Sequence, residues 1–263
     1  MYILAVCNLG QKFLGVSIGS IKLDKMININ RERNVKCLIN TKKQYVTLYK
    51  ASFKSLTYNN LTYIFGGDHS ISVGSVTAFF DIFKENGHLI WIDAHADINT
   101  YKTSATKNTH GMPLSKIFGL MTHDVKQLYT PKFSQLTYYG LRSVDIPEQK
   151  VIENNNINAY TSNEIKNNLN DILLEIKETI KNKTVFISFD IDALDSSLVP
   201  CTGTSVPNGL EEIHVIKLLN TVDNLRCLEI VEYNPLLGSK SDYQQTKKTL
   251  THIFRETNII PNL

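Results

Sequence analysis

Apolar positions recur along the chain with two alternating periods. Short apolar runs lie at residues 2–7, 61–65, 89–92, 136–139, 185–189 and 227–231. Runs of this length, bounded by Gly, Asp or Asn, read as β-strands buried in a sheet. Between them, apolar residues return every three or four positions over 71–85, 146–154, 163–181, 210–221 and 241–257. That spacing belongs to helices with one buried face. Strand and helix in alternation imply βαβ units and an α/β class, with a mostly parallel sheet between two helical layers. No Pro-, Gly- or Ser-rich linker and no internal repeat divides the pattern, so residues 1–263 are expected to form a single three-layer α/β/α domain. The Asn run at 154–156 reads as a helix end and loop.

Composition changes this picture little. At 42% hydrophobic and 20% charged, 263 residues suffice for one large core. A formal net charge of +3 is too mild to argue for nucleic acid or a membrane surface. The first apolar run lacks a basic leader and a small-residue cleavage site, so it reads as a strand, and no run reaches the length of a membrane span. Cys7, Cys37, Cys201 and Cys227 are far apart with no C-x-x-C pair, as expected of reduced thiols in a cytoplasmic protein.

The chemistry gathers where strands end. After the run at 89–92 come Asp93, His95 and Asp97 at alternate positions, which a continuing strand would turn to one face. Two carboxylates and an imidazole crowded there repel and lose solvation unless a cation sits among them. The run at 61–65 ends in "GGDHS", delivering His69; the run at 185–189 delivers Asp190 and Asp192; the run at 227–231 delivers Glu232. In open parallel sheets, ligands collect at these carboxyl ends. One such His or Asp would be an ordinary cap or turn residue, but six ligand-type side chains on three strand ends form a joint pattern. His88, His123, His214 and His252 fit surface or helix positions without ligand partners, and Cys201 reads as packing. Six ligands exceed the needs of one tetrahedral zinc. Carboxylates mixed with imidazoles suit Mn2+, with Co, Fe or Ni as alternatives, and two ions sharing carboxylates would use all six and activate water for hydrolysis.

Six stretches, "GGDHS" (66–70), "DAHADIN" (93–99), "HGMP" (110–113), "SFDIDALD" (188–195), "TGT" (202–204) and "EIVEYNP" (229–235), together resemble the landmarks of the arginase/agmatinase (ureohydrolase) family, in its order. The resemblance covers residues 61–235; before it, only "GQKFLGVSIG" (10–19) is similar to the family's N-terminal substrate-side loop, in a shortened segment. The resemblance implies an arginase-like fold and two Mn2+ ions per chain. One would be held by His69, Asp93, Asp97 and Asp190, the other by His95, Asp93, Asp190 and Asp192, with Asp93 and Asp190 bridging. It further implies hydrolysis of L-arginine to L-ornithine and urea by a hydroxide bridging the ions. Glu232 would hold the guanidinium, Asp97 would accept the hydroxide proton, and His110 would be the proton shuttle.

Asn99, Ser104, Thr106 and Asn108 resemble the arginase loop that grips the substrate α-carboxylate; Asp145 and Glu148 resemble the acids that meet its α-amino group; and Thr204 joins the implied contacts. Asp145 to Glu148 also reads as a helix N-terminus with acids favourable to the dipole, and both readings can hold. Thr106 stands where the family has serine, Lys107 where it has glycine, and Ser205 where it has proline. Glycine at 107 would serve a backbone conformation; a lysine there would either strain it or add a cation near the carboxylate. The resemblance also implies a cytoplasmic trimer or hexamer acting on a small molecule, with neither nucleic acid nor membrane as partner. Two alternatives stay open: a ureohydrolase for agmatine, guanidinobutyrate or formiminoglutamate, and a catalytically weak member kept as a binding or regulatory protein. A dinuclear phosphoesterase is disfavoured, since no Arg cluster or Asn-His phosphate motif accompanies the ligands.

Overall fold

The computed structural model of the protein describes residues 2–11, 15–27, 34–37 and 43–257, the stretch 34–37 by its backbone. Among them, eight strands form one parallel sheet: β1 (Tyr2–Ala5), β2 (Asn34–Cys37), β3 (Thr62–Phe65), β4 (Gly87–Ile92), β5 (Leu136–Leu141), β6 (Asn158–Thr161), β7 (Thr184–Asp190) and β8 (Leu225–Val231). Their order is β2-β1-β3-β8-β7-β4-β5-β6. The six runs read from the sequence are β1, β3, β4, β5, β7 and β8; both edge strands were not anticipated. The helices are α1 (Val16–Ile27), α2 (Gln44–Tyr58), α3 (Ser72–Phe83), α4 (Pro113–Ile117), α5 (Ile146–Asn154), α6 (Ser162–Thr179), α7 (Glu212–Thr221) and α8 (Lys240–Glu256).

Strand alternation splits the buried apolar residues into two layers. Tyr63 and Phe65 of β3, Ile90 and Ile92 of β4, Ile187 and Phe189 of β7 and Leu228 and Ile230 of β8 face one side. There they pack against Leu23 of α1, Ile165 and Ile176 of α6, Leu218 of α7 and Phe254 of α8. Ile64, Leu89, Trp91, Phe186 and Val231 face the other side, against Leu48 of α2, Phe79 and Phe80 of α3, Leu114 of α4 and Ile152 of α5. Fully burying one such side chain is worth about 1.5–3 kcal/mol. The four central strands are sandwiched between both layers, so charge buried at their common end is costly unless it is paired. Asp93, the residue just past β4, is 1% exposed.

Candidate metal centre and substrate cleft

The pairing registers bring the strand ends together. Phe65 of β3 lies opposite Ile230 of β8, Asp190 of β7 opposite Val231, and Ile92 of β4 opposite Phe189. Every loop that leaves these ends therefore starts at one height. His69 opens a 3-10 turn, His69–Ile71, capped by Asp68, whose Oδ1 accepts the Ser70 N–H at 3.0 Å. Asp190 closes β7, Asp192 sits in the turn Ile191–Ala193, and Glu232 follows β8 directly. The sequence reading of Asp93, His95 and Asp97 as an alternating strand face is corrected. β4 stops at Ile92. Asp93 Oδ1 accepts the His95 N–H at 2.7 Å, and Asp97 adopts a left-handed φ of 50°. A turn thus converges the three side chains.

Two groups of donor atoms result, each set lying within 4.8 Å of one another: His69, Asp93 and Asp97, and Asp93, His95 and Asp192. Asp93 belongs to both. Asp190 joins the first, its Oδ2 3.3 Å from His69 Nδ1, while Asp93 Oδ2 and Asp97 Oδ2 each lie 3.1 Å from the same nitrogen. His95 Nδ1 lies 3.1 Å from Asp192 Oδ2 and 3.4 Å from Asp93 Oδ1. His69 Nδ1 is buried, faces three carboxylates and has no hydrogen-bond partner. An orphaned buried nitrogen among acids is what a metal ligand looks like without its ion. Burial alone would lower the pKa of His95, but Asp192 and Asp93 override it and raise it to about 12. The pocket demands positive charge, and burying each of these carboxylates unpaired would cost several kcal/mol. Two divalent ions would match the formal charge of four carboxylates. The residues fit such a pair.

Groups behind the ligands hold them in place. The His69 ring stacks on Trp91 at 3.9 Å between centroids, and the Trp91 indole N–H donates to Asp93 Oδ2 at 3.0 Å. His69 Nε2 meets Ser188 Oγ at 2.9 Å; Ser188 donates to Glu229, a buried carboxylate that also accepts from Ser72 and Ser75. Such outer partners fix a ligand's tautomer and orientation, here leaving Nδ1 for the metal side. Sequence reasoning missed Trp91, Ser188 and Glu229. The available signal was a polar residue, Ser188 or Glu229, inside an otherwise apolar buried strand.

Beside the donors opens a cleft of about 400 Å3 lined by His95, Asp97, Asp190, Thr204 and His110, together with Asn99, Ser104, Thr106, Asn108, Asp145 and Glu148. All of the residues expected to touch substrate line it except Glu232. That carboxylate lies beneath His110, with Oε1 3.3 Å from His110 Nδ1 and 2.9 Å from the donating His69 N–H. Burial disfavours its ionised form, but the His110 hydrogen bond and charge hold its pKa below the usual glutamate range. Thr204 Oγ1 donates to Asp192 Oδ2 at 2.8 Å, so it supports a donor atom as well as the cleft wall. Asn99 donates to Asp145 at 2.8 Å and keeps its own oxygen unpartnered and buried. Glu148 accepts from the Ile98 and Asp145 N–H groups at 3.0 and 3.1 Å, closing the N-terminus of α5 as well as facing the cleft. Burial raises its pKa to about 7. Lys107 does not line the cleft. Of the remaining histidines, His88 is a correction, since it is buried in β4 and not at the surface. Cys7, Cys201 and Cys227 are free thiols; the Cys37 side chain lies outside the described ones.

Residues 8–259 match the Arginase family. An arginase of Entamoeba histolytica is 32% identical over 212 residues, 76% of this chain and 71% of that one. An arginase of Glaciozyma antarctica is 34% identical over 202 residues, 71% of this chain but 58% of its own length. The chain thus spans little more than half of some relatives and about seven tenths of others. The crystal structure of Entamoeba histolytica arginase in complex with L-ornithine superposes with a TM-score of 0.86 at 26% identity, covering 96% of this chain and 97% of that one. A formimidoylglutamase of Bacillus subtilis shares the fold, with a TM-score of 0.81 at 19% identity over 98% of this chain and 85% of its own.

Proposed function

The chain belongs to the arginase family, and from that premise we propose that it hydrolyses L-arginine to L-ornithine and urea at a two-manganese centre. The observation that carries this reading is the mixed lining of the cleft. The donors of the metal centre and His110 share it with Asn99, Ser104, Thr106, Asn108, Asp145 and Glu148. A guanidinium chain with an amino-acid head matches both sets, whereas agmatine would leave the amide and hydroxyl groups without a carboxylate to bind.

In this reading His69, Asp93, Asp97 and Asp190 would hold one ion and His95, Asp93, Asp190 and Asp192 the other. Bound manganese supplies Lewis acidity and a nucleophilic water near neutral pH. Every other task falls to side chains. Asp97 stands at the cleft wall and accepts the proton of the attacking water. Glu232 presents a buried negative charge to the guanidinium end and, through Nδ1, orients His110 so that Nε2 is the nitrogen free to deliver a proton to the departing amine. Asn99, Ser104, Thr106 and Asn108 bind the α-carboxylate, Asp145 and Glu148 the α-ammonium, and thus hold the substrate in line for attack. The same reading takes the chain as one catalytic domain, cytoplasmic, assembling as a trimer or hexamer. Among the described residues, no helix is long and apolar enough to cross a membrane.

The test is turnover of L-arginine, agmatine, guanidinobutyrate and formiminoglutamate by the Mn2+-incubated protein. L-Arginine should exceed each of the others in kcat/KM by about a hundredfold or more, because a site built around polar groups rejects analogues that leave them unpaired. Agmatine turning over as fast as L-arginine would sink the assignment of Asn99, Ser104, Thr106 and Asn108 to the α-carboxylate.

A further inference from the structure

Past β1 the chain folds back as a short strap against the metal centre. The Gly10 N–H donates to Asp68 Oδ2 at 3.0 Å, and the Gly10 carbonyl accepts the His110 N–H at 3.2 Å. Asp68 is buried and lies next to the ligand His69 in sequence. Only glycine fits at position 10, since a Cβ there would stand 2.1 Å from Asp68 Oδ1. These contacts carry Gln11 up to Glu232, and its Nε2 donates to Oε2 at 2.5 Å. The other oxygen, Oε1, is already engaged by the His69 N–H and by His110. Among the described residues, Gln11 is the donor that fixes Oε2. The Glu232 backbone, in a left-handed conformation with φ 64°, is held separately by its N–H donating to the Gly67 carbonyl at 2.9 Å, so the Gln11 contact acts on the carboxylate itself.

We propose that Gln11 is a positioning residue: its amide fixes the second oxygen of Glu232 and so aims the carboxylate at the guanidinium end of the substrate. This rests on the assignment of Glu232 to the guanidinium under the proposed function. The N-terminal segment would then complete the site instead of merely covering it. A plain strut would behave differently. Losing a strut loosens the whole cleft and weakens every ligand together, whereas losing an aiming contact harms only the ligand that meets Glu232.

Gln11→Met keeps the length of the side chain and removes the donor; Gln11→Ala removes both. With the Mn2+-incubated protein, inhibition by guanidinium chloride is compared with inhibition by L-ornithine, which lacks the guanidinium. In Gln11→Met, kcat/KM for L-arginine and the affinity for guanidinium should each fall about tenfold or more, the scale of a hydrogen bond to a charged group. The inhibition constant for L-ornithine should stay within about twofold, since its amino-acid head meets the residues assigned to the α-carboxylate and α-ammonium and not Glu232. Guanidinium affinity unchanged in Gln11→Met, or both inhibitors weakened equally, overturns the proposal. Should Gln11→Ala fail to fold, Gln11→Met carries the test alone. A wild type inert toward L-arginine would instead defeat the reading of the function, so the two failures are distinguishable.

Discussion

Lys107 shows how much one residue can hide. It holds a φ of 62° where a side chain is disfavoured, its N–H donates to Ser104 Oγ at 3.1 Å, and its ammonium turns back to the Tyr101 carbonyl. The strained backbone is therefore real and the extra cation is directed away from the cleft. Lys107→Gly should raise stability by up to about 1 kcal/mol, the relief of the left-handed strain less the added freedom of the unfolded chain. Urea melts measure the first effect. KM for L-arginine should stay within about twofold; a several-fold rise would mean that the ammonium reaches the carboxylate after all. Asp97 and Glu232 share this left-handed backbone. In both, the sequence discloses the residue type but not the turn, because nothing in an Asp or Glu letter marks positive φ.

Elements were legible where burial demanded apolar periodicity. α1 escaped because its buried face includes Gly19 and Ser20, and a Cβ at Gly19 would stand 1.8 Å from the Tyr233 carbonyl. Close approach there selects small residues over apolar ones. α2 escaped likewise: Gln44, Ser52 and Ser55 are among its buried residues, and Ser55 bonds Thr62 of β3 at 2.6 Å. β6 is an edge strand, mostly exposed, with no apolar face to announce it. Within β4, His88 is buried and meets Thr137 of β5 at 2.9 Å through Nε2. Burial, aided by Lys183, lowers its pKa to about 4. The unfolded chain takes up this proton near pH 6.5 while the folded one refuses it until about pH 4, so stability must fall as pH drops through that window. The span corresponds to about 3 kcal/mol. His88→Gln keeps a hydrogen-bonding side chain and removes the titration. Denaturation midpoints at pH 7.5 and 5 should differ less in His88→Gln than in the wild type; equal pH slopes would show that His88 contributes nothing.

At the scale of the molecule, two apolar layers fix the sheet, and the strand order places the ends of β3, β8, β7 and β4 side by side. The residues brought together there were legible because their types are costly to bury and recur at strand ends. Their supports were not, since Trp91 reads as core and Ser188 and Glu229 as exceptions. The charge of the cluster is what the proposal turns on: Asp93, Asp97, Asp190 and Asp192 are all buried, and two divalent ions would balance them. The most direct measurement is a calorimetric titration of the metal-stripped chain with Mn2+, beside Asp93→Asn, which alters a residue shared by both donor groups. The account predicts two ions per chain in the wild type and both sites weakened in Asp93→Asn. One ion in the wild type, or two undiminished in Asp93→Asn, would contradict it.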